Sequence, residues 1–204
     1  MIGKRLWLLV AILAILVGLY PSIYFLIDRK FGLLSSKSNY LLTNNLWNIA
    51  FYTHIVLGGF ALLTGWIQFN SNFRNKNIVF HRRIGIVYII SVGLSSLAGI
   101  YIGFFATGGL LSSLGFICLG IFWFSITLLA FINIKRGNTD IHQKLMIYSY
   151  AACFAAVTLR IWLPLLILTF GDFITAYTIV AWLCWVPNLF IAKLITKRIS
   201  INAI

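Results

Sequence analysis

Six long apolar runs divide this chain, and they constrain its fold more than any other feature of the sequence. They extend over Leu6–Ile27, Leu46–Phe69, Ile84–Phe105, Leu110–Ile134, Leu145–Phe170 and Phe173–Ile191. A helix of about 20 apolar residues is long enough to cross a bilayer. Backbone in lipid must satisfy its own hydrogen bonds, so each run is expected to form a transmembrane helix. The sequence therefore predicts an all-α, polytopic membrane protein, a six-helix bundle that forms one domain over residues 1–204.

The composition excludes an ordinary soluble protein. Hydrophobic residues make up 61% of the chain and charged residues only 9%, against about 25% charged residues in a typical soluble domain. A net charge of +13 would indicate nucleic-acid binding in a soluble domain. Here the basic residues are divided among short connections between apolar runs, so we expect the lipid bilayer, and not a nucleic acid, to be their partner.

The basic residues are distributed unequally between the two sides of the predicted bundle. Twelve lie before the first run, in the connections after the second and fourth runs, or at the end of the chain; three lie on the other side. By the positive-inside rule, the richer side faces the cytoplasm. We therefore expect both termini to be cytoplasmic and the protein to be a multi-pass protein of a bacterial cytoplasmic membrane.

One basic residue, Arg160, lies inside an apolar run. A charge near the bilayer centre costs about 2.5–3.5 kcal/mol on insertion scales, so such a residue is expected to face the bundle interior or reach the headgroups. His54 lies at a similar predicted depth and shares one helix face with Gly58 and Gln68. Pro164, one turn after Arg160, would free backbone groups. These five residues form a candidate polar pocket; the alternatives are structural pairing of Arg160 and a buried histidine with one hydrogen bond.

Two further histidines, His81 and His142, are expected at the cytoplasmic ends of the third and fifth helices. Histidines at one depth on different helices can hold a metal ion or the iron of a heme b. They can also bind headgroup phosphates together with Arg82, Arg83 and Lys144. With three histidines in the chain, two bis-histidine hemes are excluded, so one heme or metal ion is the most that this set allows.

No familiar enzyme constellation is present. The three acidic residues, Asp28, Asp140 and Asp172, are widely separated, and there is no HExxH, GxSxG or glycine-rich phosphate loop. Asp140 precedes His142 by two residues and is expected either to orient its imidazole or to cap a helix. The sequence thus leaves open whether the protein is an enzyme and names no catalytic residue.

At these positions the chain resembles a family of bacterial predicted membrane proteins, domain of unknown function 2306. The resemblance extends over about residues 46–170 and rests on four motifs: His54-x3-Gly58, His81-Arg82-Arg83-Ile84-Gly85, Arg136-Gly137 with His142-x3-Met146, and Thr158-Leu159-Arg160-Ile161-Trp162-Leu163-Pro164. Tyr148 departs from a position that is often basic in the family, so a ligand contact there would be altered. The resemblance implies an integral membrane protein and no particular activity.

Three functions fit these observations. The first is a membrane redox protein associated with heme or quinone, in which His81 and His142 would be axial ligands and His54 and Arg160 a polar pocket. The second is a small-molecule carrier with an intramembrane His54/Arg160 site. The third is an assembly partner of another membrane complex, and either a homo-oligomer or a hetero-oligomer is compatible with the sequence.

Overall fold

The computed structural model describes residues 4–27 and 32–201, and within these ranges the chain is helical with no strand. The α-helices are α1 (Lys4–Leu19), α2 (Ile23–Leu26), α3 (Asn39–Thr43), α4 (Asn45–Gln68), α5 (Ser71–Lys76), α6 (Ile78–Gly103), α7 (Leu110–Lys135), α8 (Thr139–Cys153), α9 (Ala155–Phe170), α10 (Phe173–Leu183) and α11 (Val186–Ile201). Short 3-10 helices occupy Tyr20–Ser22 and Gly32–Ser36.

Six stretches of the described residues are long and apolar enough to cross a membrane. They are Arg5–Leu26, Asn45–Gln68, Ile78–Gly103, Leu110–Lys135, Thr139–Phe170 and Phe173–Arg198, and we call them spans 1 to 6. The predicted all-α, six-span fold is confirmed. The basic connections 69–77 and 136–138 lie at one end of the bundle, which we call the basic end; the connections 104–109 and 171–172 lie at the opposite end.

Spans 2 to 5 form the core of the bundle. Helices α4, α6, α7 and α8 pack in a ring, because each contacts the next and α4 also contacts α8. Span 1 lies outside the ring against α4 and α9, and span 6 packs through α10 on α7 and α9 and through α11 on α8. The tight turns before α7 and α10 make these helices neighbours of the helices that precede them.

Several helices differ in length from the apolar runs. Helix α6 begins at Ile78 and α8 at Thr139, so His81 and His142 lie in the first turns of these helices. Polar residues can extend a transmembrane helix into the interfacial region, and hydropathy therefore underestimates its length. Span 6 is likewise helical to Ile201.

Three of the six spans are interrupted. A 3-10 turn containing Pro21 separates α1 from α2, Phe154 separates α8 from α9, and Cys184 with Trp185 separates α10 from α11. Proline removes a helical donor and clashes with the preceding turn, which accounts for the first interruption. Pro164, by contrast, lies within a continuous α9 with its side chain exposed. The pocket expected from Pro164 is therefore not formed by a break in the helix at that position.

Candidate functional site

The imidazole of His54 is held in one orientation by the backbone of α6. Its Nδ1 lies 2.9 Å from the carbonyl oxygen of Ser95, and the Ser95 hydroxyl donates to the carbonyl oxygen of His54 at 2.9 Å. A carbonyl oxygen only accepts hydrogen bonds, so Nδ1 must carry the proton. In the neutral imidazole, Nε2 is consequently the nitrogen with the free lone pair.

Gly99 provides the surface on which the His54 ring lies. A Cβ at residue 99 would lie 2.8 Å from Nδ1 and 2.9 Å from Cε1 of His54, too close for an ordinary contact. Gly58, one turn along α4, faces the same contact, since a Cβ there would meet the Ser95 hydroxyl oxygen at 3.2 Å. Gly58 and Gly99 thus lie at the contact between α4 and α6.

Arg160 lies against span 1, with its guanidinium carbon 4.3 Å from the centroid of the Tyr20 ring. Its Nη1 donates to the carbonyl oxygen of Ala156 at 2.7 Å. A guanidinium has five N–H donors, and this is the one acceptor that the described residues provide. The charge of Arg160 also acts on Tyr24 and on His54; a pocket shared by Arg160 and His54 stays a prediction.

Two residues predicted for the same pocket occupy other places. Gln68 is the last residue of α4, 14 residues beyond His54, which corresponds to about 21 Å along a helix. Its Nε2 donates to the carbonyl oxygen of His81 at 3.2 Å. The shared helix face therefore places Gln68 at the basic end, away from His54. Pro164 is exposed on the surface of α9.

The connection between spans 1 and 2 packs over this half of the bundle. Leu34 is buried in an aromatic cluster with Tyr24, Trp47 and Phe51. We call residues 32–43 the cover segment. It lies beside the tyrosines of span 1, because a Cβ at Gly32 would be 3.3 Å from the Tyr24 hydroxyl and 3.5 Å from the Tyr20 hydroxyl.

The cover segment is fastened to the turn between α6 and α7. The Ser36 hydroxyl lies 3.0 Å from the Thr107 hydroxyl. Lys37 Nζ donates to the carbonyl oxygen of Phe105 at 2.5 Å and to Thr107 Oγ1 at 3.0 Å. Burial lowers the pKa of Lys37 to about 8, because the ammonium loses solvation.

At the basic end, His142 shows the same orientation as His54. Its Nδ1 lies 2.9 Å from the carbonyl oxygen of Ala130, so Nε2 again has the free lone pair. Asp140 lies in the first turn of α8, where Asn138 is the capping residue. The acidic residue therefore does not cap the helix, and a backbone carbonyl instead holds the Nδ1 of His142.

His81 is held less completely. Its Nδ1 is buried without a hydrogen-bond partner, and so is the Oε1 of Gln68. His81 and His142 are close enough for their charges to interact. No group of three or more His, Cys, Asp or Glu side chains that could hold a metal ion occurs among the described residues. Ligation of a heme or metal by His81 and His142 stays a prediction, as do headgroup contacts by Arg82, Arg83 and Lys144.

Two interruptions in adjacent spans are joined by side-chain hydrogen bonds. Asn188 Nδ2 donates to the carbonyl oxygens of Ala151 and Cys184 at 3.2 and 3.0 Å and to Thr158 Oγ1 at 3.2 Å. The Thr158 hydroxyl also donates to the carbonyl oxygen of Cys184. Carbonyls freed where α8 and α10 end are thereby satisfied within the protein.

Sequence reasoning missed several residues of the His54 contact. Ser95 and Gly99 are i and i+4 on α6 and lie on one helix face, and this spacing was the available signal for a contact surface. Tyr20 and Tyr24 are also i and i+4, and their spacing was the available signal for an aromatic surface in span 1. Lys37 gave no signal, because its partners lie about 70 residues away in the sequence.

The family described as predicted membrane protein, DUF2306, matches residues 51–196. The chain belongs to this family, and the match extends beyond the predicted limit of residue 170 into span 6. No curated protein and no solved structure matches the chain.

Proposed function

We propose that this member of the DUF2306 family of predicted membrane proteins is a quinone-associated redox protein whose ligand binds between His54 and Arg160. The observation that carries the proposal is that one side chain has unused hydrogen-bond donors and the other has an unused acceptor. Arg160 donates one hydrogen bond within the described part of the chain, and His54 presents a free Nε2 lone pair. Both are only partly buried, and both lie in the half of the bundle farther from the basic end.

A quinol matches this arrangement at both of its oxygens. An unused N–H of Arg160 would donate to one oxygen, as guanidinium groups do toward oxygen acceptors. The other hydroxyl would donate to Nε2 of His54, which can then take the proton; the O–H bond breaks and leaves a quinolate beside imidazolium. The positive charge of Arg160 stabilises that anion, and the Tyr20 ring offers an aromatic surface.

Equilibrium binding of a short-tailed benzoquinone to the detergent-purified protein tests the proposal. We expect Arg160→Met and His54→Phe each to weaken binding by about 10- to 100-fold, the loss of one hydrogen bond to a charged or basic group. Arg82→Met and His142→Phe are matched controls at the basic end and should bind normally. Unchanged affinity in both His54 and Arg160 variants would refute the site.

The heme version of this function concerns the basic end. His81 and His142 lie on different helices within range of each other's charge. Absorption spectra of the oxidised and dithionite-reduced protein, with metal analysis, test it after heme supplementation. A Soret band that shifts on reduction and is lost in His81→Ala would support heme ligation; a colourless, iron-free protein would end this version.

A carrier is the second candidate, and the interrupted spans favour it. Discontinuous helices in the membrane are typical of transporter sites, and spans 1, 5 and 6 are interrupted. Proteoliposomes containing a pH-sensitive dye would measure proton flux across an imposed potential. Flux that exceeds protein-free liposomes and disappears in His54→Phe would support the carrier. Flux equal to that of protein-free liposomes would exclude proton coupling.

We also infer that the basic end faces the cytoplasm of a bacterium, since basic connections mark the inner side. The multi-pass membrane location follows from the six spans and the family. A reporter fused to the C-terminus that is active only in the cytoplasm would test the orientation. Oligomerisation and assembly with another complex stay predictions, which cross-linking in native membranes would test.

A further inference from the structure

A cavity of about 330 Å³ opens at the basic end, where α5 leads into α6. It is lined by Lys76, Asn77, Ile78, Val79, Phe80 and Arg83. Two of these side chains are cationic and none is acidic. Of the two acidic residues that the structure describes, Asp140 and Asp172, Asp140 is the one on this side of the bundle. The cavity is therefore a local concentration of positive charge.

The backbone adds to this charge. Asn77 precedes the first turn of α6 but makes no side-chain hydrogen bond to it. The N–H groups of the first turn thus lack a capping acceptor, and a helix N-terminus attracts anions. Lys76 and Arg83 both line the cavity, so their charges and the first turn of α6 would attract the same anion.

The remaining wall is apolar. Ile78, Val79 and Phe80 are 47%, 59% and 47% exposed, and Phe80 packs edge-on against Phe73. Free phosphate needs no such surface. A phospholipid does need an apolar surface, because its acyl chains extend from the phosphate into the hydrocarbon core of the membrane. The basic connections place this cavity at the membrane surface.

We propose that this cavity binds the phosphate of an anionic phospholipid, held by Lys76, Arg83 and the first backbone N–H groups of α6, with the acyl chains against Val79 and its neighbours. Zwitterionic lipids present an ammonium group beside the phosphate, which two nearby cations disfavour. The site is independent of the His54/Arg160 contact, which lies in the other half of the bundle.

Titration of the delipidated protein in detergent with fluorescent phosphatidylglycerol tests this site. We expect K76Q/R83Q to bind at least tenfold more weakly than the unmodified protein. The control K135Q/R136Q removes the same charge from the next connection at this end and should lose less than twofold. Equal losses in the two double variants would overturn the site, since they would indicate general attraction to a basic surface.

A second variant and a second ligand complete the test. Val79→Trp fills the cavity without changing its charge, and it should weaken binding as strongly as K76Q/R83Q; normal binding by this variant would overturn the proposal. Inorganic phosphate and glycerol phosphate should compete at least 100-fold less well than phosphatidylglycerol. If either competes equally well, the ligand is a soluble phosphate and the lipid assignment is wrong.

Discussion

His54 and His81 lie in opposite halves of the bundle, and the protein holds their rings differently. At His54, Nδ1 is bonded to the Ser95 carbonyl and the ring rests on Gly99. At the basic end, Nδ1 of His81 and Oε1 of Gln68 are buried without protein partners. An unsatisfied polar group in an apolar medium is costly. His54 is therefore fixed by its protein contacts, as His142 is by the Ala130 carbonyl, whereas His81 has a ring nitrogen with no partner among the described residues.

The contrast also separates two kinds of candidate site. His54 has one defined tautomer and a cation in range, so its free Nε2 is oriented in advance for a ligand. The basic end gathers many cations with fewer fixed contacts, and its most defined feature is the cavity beside Arg83. A small hydrogen-bonding ligand suits the first arrangement, and an anionic surface ligand suits the second.

The largest expected effect is a loss of stability when the contact between His54 and α6 is disrupted. Gly99→Ala places a methyl 2.8 Å from Nδ1 of His54, and such overpacking costs about 1–3 kcal/mol. Gly93→Ala on the same helix meets nothing within 4 Å and should gain up to about 1 kcal/mol from helix propensity. Thermal unfolding in detergent compares them. Equal melting temperatures would show that the ring is not tightly seated.

Three buried hydroxyl groups form a hydrogen-bonded network in the interior of the basic half. Removing one of them tests whether this network stabilises the protein. Ser149 Oγ lies 2.8 Å from Tyr88 Oη and 2.6 Å from Thr127 Oγ1. Ser149→Ala removes the partner of the buried Tyr88 hydroxyl, while Thr127 keeps its hydrogen bond to the Trp123 carbonyl, and it should lower the free energy of unfolding by about 1–3 kcal/mol. Ser91→Ala is the control, since this buried serine makes no side-chain hydrogen bond in the described ranges. Equal unfolding free energies would remove the network as a source of stability.

Arg160→Met tests whether Arg160 serves ligand binding or stabilises the fold. Placing Arg inside a span costs about 2.5–3.5 kcal/mol, and the contact with Tyr20 together with the hydrogen bond to the Ala156 carbonyl returns roughly the same amount. The variant should therefore be about as stable as the unmodified protein, while quinone binding is lost. Chemical denaturation and binding are measured on one sample. A strong loss of stability would indicate a structural role for Arg160.

The smallest effect concerns Lys37, which fastens the cover segment. Its pKa of about 8, against 10.5 in an unperturbed side chain, means that the folded state loses the proton first as pH rises. Between these values the unfolded chain binds more protons, so stability rises with pH. We expect Lys37→Met to remove this rise between pH 8 and 10.5, and Thr107→Val to retain it. A rise that persists in Lys37→Met must come from other groups.

Much of the architecture was predictable, because lipid allows few solutions for a backbone. Six apolar runs predicted six spans. Arg160 was recognisable as a candidate site residue because a charge inside a span is energetically costly. The helix ends were less predictable: α6 and α8 begin before their apolar runs. Gln68 shares a helix face with His54 but lies at the basic end, in the other half of the bundle. Helical periodicity identifies residues on one face and does not include their separation along the helix axis.

The amino-acid sequence was enough to predict the class of protein and the number of spans, and it singled out His54 and Arg160 as candidate site residues. These depend on hydrophobicity and on the cost of a buried charge, which are properties of local sequence. The fold was needed to find that Ser95 and Gly99 hold the imidazole of His54, that Tyr20 lies against the guanidinium of Arg160 and that Lys37 fastens the cover segment. Each of these contacts joins residues of different helices, and helix order around a bundle is set by packing, which no local pattern encodes.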